Sequence, residues 1–423
     1  MGELASFVTT IDRIGSAGDG ITDTRLHIAR TLPGETVHAQ QGPDARRATL
    51  LDIVSASPDR IDPPCTHFAE GCGGCALQHW ARPAYAAWKR GLVVAALERA
   101  GYAAPPVGDL ISTPAHARRR MDFAVHRRDG GVNLGLHRAH STEIVDLRMC
   151  TVLHPTLLAL IAPLRHVLSG LAALRRTGSV LINLVDNGAD LLIRSDGDLA
   201  PTDRAKLAAF AAAHHIPRIS WARGEATPET AYLSAAPQAR FAGQAIDVPP
   251  GAFLQASAEG EAAIVAAVLA GLPEKLPPRP RAIELYAGCG TISFPLAAHL
   301  RVIAYEGDAA AAGAVRRAQA GRHVEMTQRD LARQPLTAKE LAGATIVVLD
   351  PPYAGAPLQM PALAAARTPR IIYVSCNPGA LSRDAAILRE AGYGLLFATP
   401  IDQFLWSAHV ETVAVFTARP RTP

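Results

Sequence analysis

The chain contains 423 residues, of which 49% are hydrophobic and 19% are charged. This composition excludes an intrinsically disordered or fibrous protein, and the length predicts roughly two to four domains. The formal net charge of +4 permits a nucleic-acid partner without requiring one.

No apolar run approaches the roughly 20 residues that a helix needs to span a bilayer. Met1–Leu4 lacks the pattern of a secretory signal peptide. We therefore expect a cytoplasmic protein with no membrane partner, acting as a monomer. Thiols stay reduced in that compartment, so the six cysteines are not expected to form structural disulfides.

The first part of the chain has the pattern of a small all-β unit. Residues 5–55 contain short strand-like runs separated by turn signals, and this spacing predicts a small β-barrel. A linker over 58–64 then leads into a loop that contains three closely spaced cysteines. Residues 82–100 follow with a helical apolar pattern that ends at Gly101.

The middle of the chain, from about 105 to 245, mixes strand-like and helical patterns and predicts an α+β region. Between 116 and 140 it carries six arginines against two aspartates. Alternation over 121–125 would place the polar side chains on one sheet face, where they could contact phosphates. A merely solvated charged face explains this arginine run equally well.

After a linker at 277–281, strands alternate with helices, which predicts a doubly wound parallel sheet. The strand 282–286 runs into a turn with Gly288 and Gly290, where backbone can approach a ligand closely. A plain strand-to-helix turn explains these glycines about as well. The next strand ends at Glu306, and a carboxylate there can bind both ribose hydroxyls of an adenosine. Because the full G-x-G-x-x-G motif of nicotinamide enzymes is absent from the sequence, the pattern favours S-adenosylmethionine.

Two later strands end in polar residues that would face the same crevice. One runs into Asp350-Pro-Pro-Tyr353, and the other runs into Cys376-Asn-Pro378. A free cysteine is commonly a small buried apolar residue, but the position of Cys376 at a strand end favours a nucleophile. Glu411 begins a further strand, and by itself it would be interpreted as a solvated surface residue.

Together these residues resemble the uracil-5 RNA methyltransferase family, whose members methylate C5 of specific uridines in ribosomal and transfer RNA. The matching motifs are Phe253-Leu-Gln255, the Gly288-Cys-Gly290 loop, Asp350-Pro-Pro352, Ser375-Cys-Asn-Pro378 and His409-Val-Glu411. The resemblance covers essentially the whole chain. It implies an α/β, Rossmann-like class I methyltransferase domain, preceded by a TRAM domain (an OB-like β-barrel that binds RNA) and a central α+β domain with an iron–sulfur cluster.

The resemblance also implies the roles of individual residues. C5 of uracil is a poor nucleophile until a thiolate adds at C6, and a base must later remove the C5 proton. By resemblance, Cys376 is the nucleophile and Glu411 is the base. The residues implied to bind S-adenosylmethionine or the substrate are Gln255, Tyr286, Gly288, Gly290, Thr291, Glu306, Asp330 and Asp350.

The sequence departs from the family pattern at several of these positions. Thr291 and Asp330 stand where the family commonly has asparagine, which leaves their individual contacts with the cofactor open. Tyr353 stands where the family usually has arginine. Asp-Pro-Pro-Tyr is also the signature of methyltransferases that act on exocyclic amines of adenine or guanine. Those enzymes need no thiol nucleophile, so that alternative would leave Cys376 and Glu411 without a role.

Four cysteines, Cys65, Cys72, Cys75 and Cys150, form a candidate metal site. Four thiolates suit either structural zinc or an iron–sulfur cluster. Zinc ribbons usually have two close pairs of ligands, whereas here the fourth cysteine lies 75 residues beyond the third. That spacing favours an iron–sulfur cluster, and the resemblance implies a [4Fe-4S] cluster with a structural or RNA-contacting role.

The organisation implied by the resemblance is a TRAM-like barrel over 1–57, a central RNA-binding domain over 58–250 and a methyltransferase domain over 251–423. We expect structured RNA as the partner. A TRAM domain together with a cluster favours 23S ribosomal RNA over transfer RNA, by analogy. A transfer-RNA enzyme and a non-catalytic iron–sulfur RNA-binding protein remain as alternatives, although Cys376 and Glu411 count against the second.

Overall fold

The computed structural model describes residues 5–42 and 44–418 of the chain. Met1–Leu4, Pro43 and residues 419–423 lie outside that part. The prediction about a signal peptide therefore concerns residues, Met1–Leu4, that lie outside the described part. The outer ends of the first and third predicted domains lie outside it as well. In the part that the structure describes, no helix is both long and apolar enough to cross a membrane.

The amino-terminal strands close into a β-barrel, which confirms the prediction for this segment. The strands are β1 (Ser6–Ile14), β2 (Gly20–Thr22), β3 (His27–Ile28), β4 (Thr36–Gln41) and β5 (Arg47–Ser55). Around the barrel they follow the order β1-β2-β3-β5-β4, and β4 pairs with β1 to close it. Alternate side chains of a strand point inward, and the interior is filled by Ile11, Ile28, Val37, Ala39 and Ala48.

A cysteine-containing loop and a long helix follow the barrel. The elements are α1 (Thr66–Ala69), α2 (Arg82–Arg99) and the short strand β6 (Ile111–Ser112). Pro83 lies in the first turn of α2, where its missing N–H leaves no helical hydrogen bond unmade. The helix ends near the predicted position, where Gly101 has a φ of +90°. Leu97 of α2 is buried in the core of the carboxy-terminal part, whereas Tyr85 at the start of the helix belongs to the core that also contains Ile14 of β1.

The central part forms a second sheet. Its strands are β7 (Arg120–Arg128), β8 (Gly131–His137), β9 (Ile144–Asp146), β10 (Thr177–Val185), β11 (Gly188–Ser195), β12 (Arg218–Arg223) and β13 (Glu229–Leu233). They lie in the order β13-β12-β11-β10-β7-β8-β9. The helices α3 (Pro155–Ala159), α4 (Ile161–Ser169) and α5 (Pro201–Ala213) share one core with this sheet. A hairpin of β14 (Gln238–Phe241) and β15 (Gln244–Asp247) completes the α+β region.

The carboxy-terminal part alternates strands and helices. Its strands are β16 (Arg281–Leu285), β17 (Arg301–Glu306), β18 (Val324–Gln328), β19 (Ile346–Leu349), β20 (Arg370–Ser375), β21 (Tyr393–Asp402) and β22 (Glu411–Ala418). Its helices are α6 (Ala258–Ala270), α7 (Ser293–Ala297), α8 (Ala309–Ala318), α9 (Ala338–Leu341), α10 (Met360–Ala366) and α11 (Pro378–Glu390). The sheet order is β18-β17-β16-β19-β20-β22-β21-β6.

The five strands β16–β20 are parallel, and β22 runs antiparallel to both of its neighbours. All four residues of β19 are buried, as expected for a strand whose two faces are both covered. The carboxyl ends of β16, β17, β19 and β20 meet at one edge of the sheet. Because β22 runs the other way, its first residue lies at that same edge, and this geometry positions the candidate site.

Candidate active site

A cavity of about 660 Å³ opens at this edge of the eight-stranded sheet. The sequence-predicted site residues that line it are Gln255, Tyr286, Gly288, Thr291, Glu306, Asp350, Cys376 and Glu411. The carboxyl ends of four strands, the start of β22 and the loop before α6 therefore bring together side chains that are more than 150 residues apart in the chain. The volume lies in the range of cavities that bind cofactors and small molecules.

Gly290 and Asp330, also predicted as site residues, do not line this cavity. At Gly290 the backbone φ is +89°, and a Cβ atom would lie 2.7 Å from the ring of Phe294, so this glycine serves the packing of the turn. Asp330 lies in the loop that follows β18. Its Cα is 3.5 Å from the position that a Cβ of Gly307 would take, and its side chain pairs within its own loop with Arg333.

Gly288 and Glu306 form a cradle that suits an adenosine. A Cβ at Gly288 would meet nothing within 4 Å, so a ligand can lie directly against this backbone. The Gly288 and Asp308 amides each donate to one oxygen of the Glu306 carboxylate at 2.7 Å. These bonds orient the carboxylate and leave both oxygens able to accept a further bond from a ribose hydroxyl. Tyr286 has a φ of +63°, which is uncommon for an aromatic residue and shows that the surrounding structure holds this turn in a strained form.

A chain of hydrogen bonds links four polar side chains beside the cavity. The Gln255 amide donates to Asp350 Oδ2 at 3.3 Å. The Gln403 amide donates to Gln255 Oε1 at 2.9 Å and to Glu411 Oε2 at 2.8 Å. Among residues 5–42 and 44–418, no hydrogen-bond partner is found for the buried Oε1 of Glu411. Glu411 therefore has one oxygen fixed by a donor and one oxygen free to accept a proton.

The carboxyl and thiol groups on this wall have pKa values above their usual ranges. Burial raises the pKa of Asp350 well above its usual range. Burial, and next the Asp350 charge, raise the pKa of Glu411. Burial, followed by the Glu411 and Asp350 carboxylates, raises the pKa of Cys376 to about 12. Because the thiolate is the reactive form, Cys376 needs a nearby positive charge or a proton acceptor before it can act as a nucleophile.

The structure adds two residues that sequence reasoning missed. Glu284 lies inside β16, lines the cavity and accepts a hydrogen bond from Ser293 Oγ. Burial, and then the Asp350 and Glu306 charges, raise the pKa of Glu284 to about 8. A carboxylate within an otherwise apolar strand is a signal that could have identified it. Gln403, which follows β21, carries no comparable signal because its role depends on contacts with distant residues.

Exposed aromatic rings flank the mouth of the cavity. The side chain of Phe253 is 62% exposed, and the Arg120 guanidinium lies 5.3 Å from its ring centre. Tyr353 is 58% exposed and meets the His409 ring edge-on at 6.0 Å. The Asn377 amide donates to the Tyr353 carbonyl at 2.9 Å, which fixes that loop. Rings in such positions can stack on unpaired nucleobases.

The predicted arginine face is only partly present. Met121 and Val125 of β7 are buried, as the alternation predicts. The arginines themselves are largely engaged inside the protein. Arg127 donates to four backbone carbonyls around the end of α4, and Arg119 pairs with Glu261 at 2.5 Å. The run therefore does not form a continuous cationic surface, because guanidinium groups satisfy carbonyl and carboxylate groups within the fold.

A second cavity, of about 260 Å³, brings the four predicted metal ligands together. It is lined by Cys65, Cys72, Cys75 and Cys150, all of which are free thiols, and by Arg118. In the described part of the chain, no three Cys, His, Asp or Glu side chains are grouped in a way that would hold a single metal ion. The four thiols share the wall of this one cavity.

The fold and the cavity define the class of protein. A parallel five-stranded sheet extended by an antiparallel β22 and by β21, with an acidic residue at the end of β17, forms a Rossmann-like class I methyltransferase domain. Residues 279–419 match the model of a family described as tRNA (Uracil-5-)-methyltransferase. The chain belongs to the uracil-5 RNA methyltransferase family and is an S-adenosylmethionine-dependent enzyme that methylates RNA.

Relatives extend over nearly the whole chain. An uncharacterized RNA methyltransferase of Brucella suis is 41% identical over 415 residues, covering 96% of this chain and 97% of the relative. The 23S rRNA (uracil(1939)-C(5))-methyltransferase RlmD of Chromohalobacter salexigens is 32% identical, covering 96% and 88%. The crystal structure of Pyrococcus abyssi tRNA (uracil-54, C5)-methyltransferase with S-adenosyl-L-homocysteine has a TM-score of 0.73 at 18% identity, covering 97% of this chain and 100% of that structure. This last likeness establishes the fold.

Proposed function

We propose that the protein transfers a methyl group from S-adenosylmethionine to C5 of a specific uridine, through a covalent bond between Cys376 and C6, with Glu411 as the base. The observation that carries this proposal is the presence of Cys376, Asp350 and Glu411 on the wall of one cavity. A thiol beside two carboxylates has no use in methyl transfer to an exocyclic amine. Membership of the uracil-5 family also counts against that alternative, despite Tyr353.

The cavity residues divide between the two substrates. Glu306 and the bare backbone at Gly288 suit the ribose and the adjacent chain of S-adenosylmethionine. Burial raises the pKa of Glu284 and of Asp350, and a positive sulfonium beside them would favour their ionised forms, which would in turn stabilise the bound cation. Gln255, held by Asp350, offers an amide that can recognise the uracil edge. The target base must leave its stack to reach this wall, and the rings at the mouth can stack on it or on its neighbours.

The proposed steps balance in atoms and charge. The Cys376 thiolate adds to C6, and the electron pair of the C5–C6 double bond makes C5 enolate-like. C5 then takes the methyl group, and S-adenosylhomocysteine leaves. Glu411 Oε1 removes the C5 proton, the double bond reforms and the thiolate is expelled. Over the whole cycle one proton is released, because a C–H bond is replaced by a C–C bond.

We also propose that Cys65, Cys72, Cys75 and Cys150 hold a [4Fe-4S] cluster. A cubane binds each thiolate at a different iron, so it suits four thiols that line a cavity. A single zinc suits them less well, because it needs all four sulfurs around one ion. The Arg118 guanidinium at the same cavity offsets part of the thiolate charge. The cluster would stabilise this part of the protein and take no part in methyl transfer.

Anaerobic purification tests the cluster. The protein should be brown and carry about four irons with matching sulfide, and replacement of Cys72 by alanine should lower the iron content. One bound zinc without sulfide would contradict the proposal.

We propose 23S ribosomal RNA as the substrate, with the barrel and the central sheet (1–57 and 58–250) as RNA-binding domains and 251–423 as the methyltransferase domain. The named relative RlmD supports this choice. The test is nucleoside mass spectrometry of purified 23S RNA and transfer RNA from cells that lack the gene. Loss of 5-methyluridine from 23S RNA, restored by the wild-type gene but not by Cys376→Ala, is expected. Loss of 5-methyluridine from transfer RNA would indicate a transfer-RNA enzyme instead. Loss of a methylated purine would indicate a methyltransferase that acts on exocyclic amines.

A further inference from the structure

Gln403 lies at the centre of the hydrogen-bonded wall, although it does not line the cavity itself. It follows β21 directly, and its side chain is only 4% exposed. Its amide contacts Gln255 and Ala256, from the distant loop before α6, and Glu411, eight residues further along the chain. Among the side chains of residues 5–42 and 44–418, only that of Gln403 donates a hydrogen bond to the Glu411 carboxylate, which also receives one from the Thr412 backbone.

The orientation of this amide follows from its neighbours. The Ala256 backbone N–H can only donate, and it lies 3.2 Å from Gln403 Oε1. The NH₂ group must therefore point the other way, toward Glu411 Oε2 at 2.8 Å and Gln255 Oε1 at 2.9 Å. Because Gln255 Oε1 accepts the hydrogen bond from Gln403, the NH₂ group of Gln255 is directed at Asp350.

The backbone beside Gln403 is held by a buried anchor. Asp402 is fully buried and pairs with Lys89, and it accepts a hydrogen bond from Tyr85 Oη at 2.8 Å. Lys89 also donates to the Phe404 carbonyl at 3.1 Å. These contacts join α2 to the residues on either side of Gln403, so the amide has little freedom to turn away.

We propose that Gln403 is a positioning residue for the second half of the reaction: it holds Glu411 as an oriented carboxylate, with Oε2 fixed and Oε1 free to take the C5 proton. This inference rests on the proposed role of Glu411. Gln403 does not line the cavity, so it would act through Glu411. Its donated bond stabilises the charged form of a carboxylate that has lost most of its water.

The charges that face Glu411 make this bond important. Asp350 and the Cys376 thiol lie on the adjacent strand ends, and the Asp350 charge disfavours a second negative charge on Glu411. Glu284 and Glu306 lie further along the same cavity, and His409 stands two residues before Glu411. None of these carboxylates can stabilise the charge on Glu411, whereas the Gln403 amide can.

The test replaces Gln403 by methionine, which has a similar length but no amide. Gln359→Met is the matched control, because Gln359 is also a buried glutamine and bonds only to the Leu336 backbone, away from the cavity. Single-turnover reactions with total RNA from cells lacking the gene would be followed on denaturing gels, which separate the covalent adduct from released product.

The Gln403→Met enzyme should form the adduct but release it more slowly at neutral pH, by roughly ten- to a hundredfold. The pH at which release becomes half-maximal should rise by about one to two units, because the carboxylate loses one charge-assisted hydrogen bond. Gln359→Met should show the wild-type pH profile even if it unfolds more easily. An unchanged pH profile in Gln403→Met, or a change in KM alone, would overturn the proposal.

A measurement without RNA separates this inference from the proposed function. Difference infrared titration follows carboxyl protonation in the protein alone, and Glu411→Gln identifies the Glu411 band. The Glu411 pKa should be higher in Gln403→Met than in wild type, and an equal pKa would overturn the inference. If the wild-type enzyme never forms an adduct, the proposed function fails, and the infrared titration still decides the role of Gln403.

Discussion

S-adenosylmethionine should activate the Cys376 thiol by its charge alone. Burial, followed by the carboxylates of Glu411 and Asp350, raises the pKa of Cys376 from its usual value of 9.0 to about 12. At neutral pH the free protein therefore carries roughly a thousandfold less thiolate at this position than an ordinary cysteine would. S-adenosylmethionine brings a positive sulfonium to the same cavity, whereas S-adenosylhomocysteine fills the same space without that charge.

An opposite charge within about 4–6 Å lowers the pKa of such a group by about one to three units. The thiolate population, and with it the rate of alkylation, should therefore be roughly ten- to a thousandfold higher with S-adenosylmethionine than with S-adenosylhomocysteine. At alkaline pH, where the Glu411 carboxyl is ionised, Glu411→Gln should raise the rate without any ligand, because it then removes a negative charge from beside the thiol.

The assay is alkylation by iodoacetamide at neutral pH, with modification of Cys376 measured by peptide mass spectrometry. S-adenosylhomocysteine controls for simple blockage of the cavity, since the two ligands differ by one methyl group and one charge. Equal rates with the two ligands would refute the electrostatic reasoning, and so would rapid alkylation of the free protein.

Three further predictions concern the buried ion pair, the proposed base and the glycine turn. Lys89→Met should lower the free energy of unfolding by about 3–5 kcal/mol in urea titrations, because it leaves Asp402 charged and unpaired in the interior. Adding Asp402→Leu to this variant should recover part of the lost stability, and a further loss would contradict the prediction. Glu411→Gln should transfer the methyl group but accumulate the covalent adduct on denaturing gels; free release of product would remove Glu411 from the role of base. Gly288 and Gly290 both have a positive φ, so alanine at either position should lower the free energy of unfolding by about 1–2 kcal/mol. Gly290→Ala should cost more, through a collision with Phe294, and Gly288→Ala should in addition weaken binding of S-adenosylmethionine in calorimetry. Equal effects of the two substitutions on binding of S-adenosylmethionine would contradict the different roles of the two glycines.

Motifs at strand ends were predictable because their position follows from the direction of parallel strands. Glu306, Asp350 and Cys376 each end or follow a recognisable apolar strand, and such residues meet at one edge whatever the loops between them do. The amino-terminal barrel was predictable for a similar reason, since short strands with regular turns have few ways to bury their apolar faces.

Contacts between distant segments were not predictable. Gln403 acquires its partners only when the loop before α6 and the start of β22 fold against it. The arginines near β7 look alike in sequence, yet Arg127 satisfies the carbonyl end of a helix and Arg128 is exposed. In addition, β6 joins the carboxy-terminal sheet although it precedes the central sheet in the chain, and no local pattern indicates that pairing.

The covalent bond between Cys376 and the target base is the most direct test of the mechanism. RNA that contains 5-fluorouridine in place of uridine cannot lose a proton from C5, so the adduct should be trapped. With S-adenosylmethionine, the wild-type enzyme should give a band that survives a denaturing gel and that maps to the Cys376 peptide, and Cys376→Ser should give none. If the same RNA without fluorine is methylated but the fluorinated RNA gives no adduct, or if Cys376→Ser still methylates, the mechanism is contradicted.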